Sequence, residues 1–177
     1  VLAVPMRAES AAYISCGTWG LVGVELERPV LSEAAREANF TNEGGVDGRT
    51  RFLRNVGGLW LLQESMRTWS DNGDAHELQQ LLTDAAALPT GGPQIDVDDV
   101  VFIAPGDMPA RIAAAGGPAD PAGVTRCIFD SLAAAYARTI RRATELSGRR
   151  VDAIHIVGGG SQNELLCQLT ANASGLP

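Results

Sequence analysis

Three glycines in a row, Gly158-Gly159-Gly160, follow an apolar run (Ile154, Ile156, Val157) and precede an amphipathic helix pattern. A strand, a glycine turn and a helix start in that order make an anion site. Glycine lets the backbone approach closely, and the free N–H groups of the first helical turn point at the guest. Phosphate groups are natural guests, so a nucleotide is the first expectation at Gly159 and Gly160. Asn163, in the first turn, would offer its amide to a base or a ribose. The same letters have a second meaning, because Ser161-x-x-Glu164 is a capping box that closes a helix start with no ligand at all. The turn matches neither G-x-G-x-x-G nor G-x-x-x-x-G-K-[ST], so neither standard phosphate loop applies and both meanings stay open.

Two further groups of residues could do chemistry. In Ser15-Cys16-Gly17-Thr18-Trp19-Gly20 a strand ends in Gly-Thr, which offers a backbone N–H and the Thr18 hydroxyl to a phosphate oxygen. The plain alternative is a hairpin turn with Thr18 facing solvent. The segment Asn39 to Val46, followed by Arg49 to Asn55, is rich in Asn and Thr, which hydrogen-bond polyols. Asn55 lies at the mouth of an apolar helix pattern, either facing a ligand or capping the helix. Gln63, on that helix, needs a partner if enclosed: a ligand or a backbone carbonyl.

Other chemistries lack their residues. His76 and His155 are isolated, and no His/Cys/Asp/Glu spacing resembles a metal site. No Ser sits in G-x-S-x-G, and no base accompanies the cysteines. The acidic run Asp96-Asp98-Asp99 reads as a solvated loop, with Mg²⁺ binding left open as the alternative. The net charge of -7 argues against nucleic acid or an anionic membrane as partner, yet leaves room for a small phosphorylated ligand met by local donors. Three scattered cysteines (Cys16, Cys127, Cys167) read as reduced thiols of a cytoplasmic protein. No apolar run approaches the ~20 residues of a membrane span, and residues 1–5 lack the basic flank of a signal peptide.

The elements that must position these groups follow from periodicity. In a chain of 177 residues with 45% hydrophobic content, one domain with a real core is expected. Strands are expected over 12–17 and 21–26, then a helix over 32–38 capped by Ser32, an irregular polar segment to Asp47 and a short strand from Arg49 to Leu53. Helices follow over 55–69 and 75–87, an extended stretch over 95–103, and a helix over 107–115. Asp120 and Pro121 open the longest helix, which Gly148 stops; Val124, Ile128, Leu132, Tyr136, Ile140 and Ala143 recur at about 3.6-residue spacing. A strand over 151–157, the glycine turn and a helix over 161–174 close an α/β layer. Val1 is not Met and Pro177 directly follows a helix stop signal, so both ends are expected to be cuts within a longer protein.

With these residues assembled, the chain resembles the C-terminal domain of the FGGY carbohydrate kinases. AYISCGTWGLVGVELERPV, the NFTNEGG segment, the helix GLWLLQE and HIVGGGSQNELLCQLTANASGLP carry the resemblance from one end to the other, with a less distinctive middle over 71–120. NFTNEGG and GLWLLQE point to the rhamnulokinase-like members. The resemblance implies a ribonuclease H-like (actin/hexokinase ATPase) domain, a mixed sheet flanked by helices, truncated at both ends. It implies Thr18 near the ATP phosphates, Gln63 as a nucleotide contact, and Gly159, Gly160 and Asn163 around adenosine and phosphate. Asn55 becomes a sugar contact. No catalytic residue is expected within the chain, because the family's Asp base would fall just before Val1. The cysteine pair that some relatives carry near the glycine turn is replaced by Thr170 and Ser174.

The implied activity is transfer of the γ-phosphoryl of ATP, with Mg²⁺, to the 1-hydroxyl of L-rhamnulose, as in rhamnose catabolism. The implied partners are the sugar, ATP and an N-terminal kinase domain. An FGGY kinase for another ketose or deoxysugar, or a nucleotide-binding module without catalysis, are the alternatives.

Overall fold

A computed structural model describes residues 10–177; the expectations for residues 1–5 lie outside that range. Among the described residues the chain builds a five-stranded mixed sheet with helices packed on it. Strands β1 (Ala11–Cys16) and β2 (Trp19–Leu26) form an antiparallel hairpin around Gly17-Thr18. Helix α1 (Glu33–Glu37) follows, capped by the Ser32 hydroxyl, which accepts from Ala35 N at 3.2 Å. Then come β3 (Thr41–Gly44), β4 (Thr50–Gly57), α2 (Trp60–Asp71), α3 (Leu78–Ala87), α4 (Met108–Ala114) and α5 (Pro121–Ser147). Strand β5 (Ala153–Val157) and α6 (Glu164–Ser174) complete the described chain. The strand order is β3-β4-β2-β1-β5, with only β1 and β5 parallel.

Helix α5 is the packing centre. Asp120 caps it through a hydrogen bond from Gly123 N (2.8 Å), Pro121 starts it, and Gly148 ends it at φ 68°. Its buried stripe of Val124, Ile128, Leu132, Tyr136, Ile140 and Ala143 meets the inward residues of β1, β2 and β4, including Ile14, Val22, Val24, Phe52 and Val56. Burial of side chains of this size contributes roughly 1.5–3 kcal/mol each before conformational entropy is subtracted. No helix among the described residues is long and apolar enough to cross a membrane.

The structure departs from the sequence expectations in three places. The polar segment after Asn39 contains a strand, β3, pairing Thr41 with Leu53 and Gly44 with Thr50. It is an edge strand with one neighbour, so it tolerates polar residues on both faces. Strand β4 runs on to Gly57, so Asn55 is a strand residue paired with Leu21 and caps no helix. Cross-strand pairing there outweighs the helical periodicity. The stretch 95–103 forms no strand. Ile95 and Val97 enter the core singly, Ile95 N is held by Ser131 Oγ at 3.0 Å, and Val100–Phe102 form a 3₁₀ turn.

Candidate functional site

The parallel register of β1 and β5 places Ser15 beside Val157. The chain therefore leaves both strands at the same end of the sheet, as Cys16-Gly17-Thr18 on one side and Gly158-Gly159-Gly160 on the other. The glycines are required by this closeness. Gly158 has φ 86°, and a Cβ there would sit 2.7 Å from the Cys16 carbonyl oxygen. A Cβ on Gly160 would overlap Cys16 Sγ. Gly159 differs: it is exposed, and a Cβ on it would meet nothing within 4 Å. Open space thus stands over the middle of the turn.

The turn continues as a 3₁₀ stretch, Gly159–Gln162, and only then as α6. The capping box of the sequence does not form. Ser161 Oγ instead donates back to the Gly158 carbonyl (2.7 Å), and Asn163 is the true cap, its Oδ1 accepting from Leu166 N at 3.1 Å. Asn163 also lines a cleft of ≈ 680 Å³ between α3 and α6, together with Gln162, Gln79, Leu82 and Thr83. That volume lies within the ~300–1,000 Å³ of small-molecule sites.

On the other side, the hairpin tip is stapled to α2. Leu59 N donates to the Gly17 carbonyl (2.9 Å) and Trp60 N to the Thr18 carbonyl (3.0 Å). Gly58 permits this, because a Cβ there would lie 2.5 Å from the Thr18 oxygen. Gln63, one turn along α2, is exposed, and its Oε1 accepts from the Thr18 hydroxyl at 3.3 Å. Gln63 is thus not enclosed, and the need for a ligand or a backbone carbonyl that enclosure would bring does not arise.

Thr18 and its neighbour Trp19 serve different surroundings. Trp19 lines a second, smaller cleft of ≈ 180 Å³ with Asn55, Asn39, Arg54, Trp60 and Ile103. Thr18, Gln63 and the glycine turn therefore gather at one end of the sheet. Asn55 lines the smaller hollow together with Trp19, next to Thr18 in the hairpin.

Several residues that sequence reasoning passed over hold this end of the sheet. Tyr136 of α5 is fully buried, with its hydroxyl 3.5 Å from both Cys16 Sγ and the Gly57 carbonyl. Gly20 makes room for its ring, since a Cβ there would come 2.9 Å from Tyr136 Cε1. Burial pushes the Tyr136 phenol well up and raises the Cys16 thiol, so both stay protonated at neutral pH. Asp98, read as part of a solvated acidic loop, is an anchor: it pairs with Arg54 (2.7 Å) and accepts from Gly57 N at the end of β4 (2.9 Å). A polar residue forty-odd positions from its partner leaves no local signal, and only Tyr136, on the apolar stripe of α5, was visible as core.

Among the described residues no group of His, Cys, Asp or Glu could hold a metal ion. No cluster of three or more such side chains is available there to a Mg²⁺ ion held by protein ligands alone. The turn and the Thr18–Gln63 pair offer backbone N–H groups, one hydroxyl and amide side chains, with the Glu164 carboxylate beside Asn163 at the cleft. Such donors hold a phosphorylated ligand by hydrogen bonds and need no cluster of cations.

A glycine turn and a Gly-Thr hairpin meet at one end of a mixed sheet backed by a long buried helix, an arrangement suited to a phosphorylated ligand. The chain belongs to the FGGY family of carbohydrate kinases: the model of its C-terminal domain matches residues 12–177. The rhamnulokinase of Klebsiella pneumoniae (strain 342) is 46% identical over 99% of this chain and 36% of its own length. That of Bacteroides thetaiotaomicron is 39% identical over 100% of this chain and 37% of its own. The chain thus spans little more than a third of the curated relatives it matches. Among solved structures, the xylulose kinase of Rhodospirillum rubrum superposes with a TM-score of 0.69 at 14% identity, over 97% of this chain and 35% of that one. That of Bifidobacterium adolescentis gives 0.66 at 18% identity, over 96% and 33%. At such identities these two speak for the fold alone.

Proposed function

We propose that this chain is the nucleotide-binding half of an ATP-dependent kinase that phosphorylates the 1-hydroxyl of L-rhamnulose. The observation that carries the proposal is the gathering of Thr18, Gln63 and the Gly158–Gly160 turn at one end of the sheet. The name borne by relatives 39–46% identical to this chain supports the choice of sugar.

In this scheme Gly159 and Gly160 bring backbone N–H groups to the phosphates, and the ≈ 680 Å³ cleft beside Asn163 receives the adenosine. The Thr18 hydroxyl faces the γ-phosphoryl. It now donates to Gln63, so it must change partner when phosphate arrives. If the Gln63 amide turns over, its NH₂ donates to Thr18 Oγ1 and the hydroxyl hydrogen is released to a phosphate oxygen. Fixed donors aimed at the phosphoryl oxygens stabilise the charge that develops during in-line transfer. Asn55 holds the sugar from the smaller hollow. The Asp base and the first phosphate loop belong to an N-terminal kinase domain outside this chain. Mg²⁺ would supply charge neutralisation on the ATP phosphates, and the described residues offer it no cluster of three or more His, Cys, Asp or Glu ligands.

The test is a coupled assay of the full-length kinase carrying this domain, with ATP and a panel of ketoses. ADP formation dependent on L-rhamnulose supports the proposal. Preference for another ketose would move the assignment within the family, and sugar-independent nucleotide binding without turnover would favour a non-catalytic module. The isolated 177 residues should form no ADP in the same assay. Rhamnulose-dependent turnover by them alone would contradict the placing of the base.

A further inference from the structure

The smaller cleft has a composition that the phosphate chemistry does not use. Trp19 is 46% exposed and Ile103 56%, unusual for side chains of that size. Trp19 pairs across the sheet with Gly57, whose missing side chain leaves the indole free to reach the cleft. Trp60 adds a second indole, anchored by its Nε1–H to the Phe102 carbonyl at 3.0 Å. The cleft's charges cancel, because Arg54 and Asp98 are paired with each other. Its free polar groups are the Asn39 and Asn55 amides, together with Arg54 Nε, a buried donor with no acceptor among the described residues.

These features select the occupant. A hollow of ≈ 180 Å³ is too small for a nucleotide. Two indoles and an isoleucine favour a carbon surface without hydroxyls, while two amides and an orphan donor favour hydroxyl oxygens on the rest of the same molecule. A small neutral polyol with one deoxygenated end meets both demands.

Resting on the kinase assignment above, we infer that Trp19 and Ile103 are specificity-determining residues that receive the deoxy end of the sugar whose hydroxyls face Asn55. The site thereby prefers a 6-deoxyketose to the ketose bearing a hydroxyl on that carbon.

The experiment compares kcat/KM for L-rhamnulose and for L-fructose, its 6-hydroxylated counterpart, in the full-length kinase and in Trp19→Ala and Ile103→Ser variants. Apolar pockets discriminate by ~10–200-fold per carbon-sized change. The preference for L-rhamnulose should therefore fall about 5- to 10-fold in each variant, with the KM for ATP unchanged, and Trp19→Phe should retain most of it. Ile103 is at the surface, so its variant reports even if Trp19→Ala folds poorly. An unchanged sugar ratio in Ile103→Ser and Trp19→Ala, or a shift in ATP KM in place of the ratio, overturns the inference while leaving the kinase assignment standing. Failure of the unaltered enzyme to phosphorylate either sugar defeats the assignment itself.

Discussion

The Thr18 hydroxyl stands 3.3 Å from Gln63 Oε1, although the two residues are 45 positions apart in the chain. Backbone bonds from Leu59 and Trp60 to the hairpin tip set that distance, so the pair is placed by main chain and not by side-chain flexibility. At 3.3 Å the hydrogen bond is long and easily exchanged for another partner. In the full-length kinase, Thr18→Ala and Gln63→Ala should each raise the KM for ATP. A double-mutant cycle should show coupling of about 0.5–1.5 kcal/mol, the net value of one hydrogen bond. Additive effects would mean that the two side chains meet the nucleotide independently.

The glycines of the turn should separate stability from binding. Gly160→Ala drives a methyl into Cys16 Sγ beneath it, and overpacking of this kind costs about 1–3 kcal/mol. Thermal unfolding should shift down by several degrees, and pairing it with Cys16→Ala should restore part of the loss. Gly159→Ala meets open space, so its melting temperature should stay that of the parent. Equal destabilisation by both would show that the turn packs differently.

Cysteine reactivity should follow burial. Cys16 and Cys127 are enclosed and their thiols are pushed up by desolvation, so each stays protonated and shielded. Cys167 is also raised by partial burial, but it is accessible enough to react first. Iodoacetamide on the folded protein should label Cys167 alone, counted by mass spectrometry. Raised thiols make the folded state the stronger proton binder above the ordinary thiol range, so Cys16 and Cys127 should cost stability as pH rises through alkaline values. Labelling of Cys16 at the rate of Cys167 would show an open floor beneath the glycine turn.

Glu64 provides an acid-side test. Its carboxylate is buried on α2, where Arg67 holds it below the usual range, assisted by Gly106 N donating at 2.6 Å. A depressed carboxylate stabilises the fold above its unfolded pKa, and that contribution is lost as pH falls through the folded value. Glu64→Gln should therefore flatten the acid limb of the stability curve and loosen the loop before α4. Hydrogen exchange at Gly106 reads the loosening; an unchanged acid limb would show that other carboxylates set it.

The sequence exposed the repetitive parts of this fold and hid the coincidental ones. Helix α5 was legible to its caps because Asp120-Pro121 and Gly148 bracket a long apolar stripe. Strand β3 was not, since an edge strand need show no alternation. Asn55 was assigned to a helix because Trp60, Leu61 and Leu62 make the pattern beyond it strongly helical, whereas the pairing of β4 with β2 depends on residues far away. The candidate site divides in the same way. Gly158–Gly160 and Gly17-Thr18 announce themselves locally, but the approach of Gln63 to Thr18 and the anchoring of β4 by Asp98 arise only when distant elements dock.

The most direct test of the nucleotide cradle is the KM for ATP in the full-length kinase carrying Gly159→Ala, measured with L-rhamnulose saturating. The added methyl enters the space above the turn without disturbing the protein around it. An increase of about tenfold, equivalent to ~1.4 kcal/mol, is the predicted result, with sugar KM and melting temperature unchanged. An ATP KM equal to that of the unaltered enzyme would contradict the placing of the nucleotide over the Gly158–Gly160 turn.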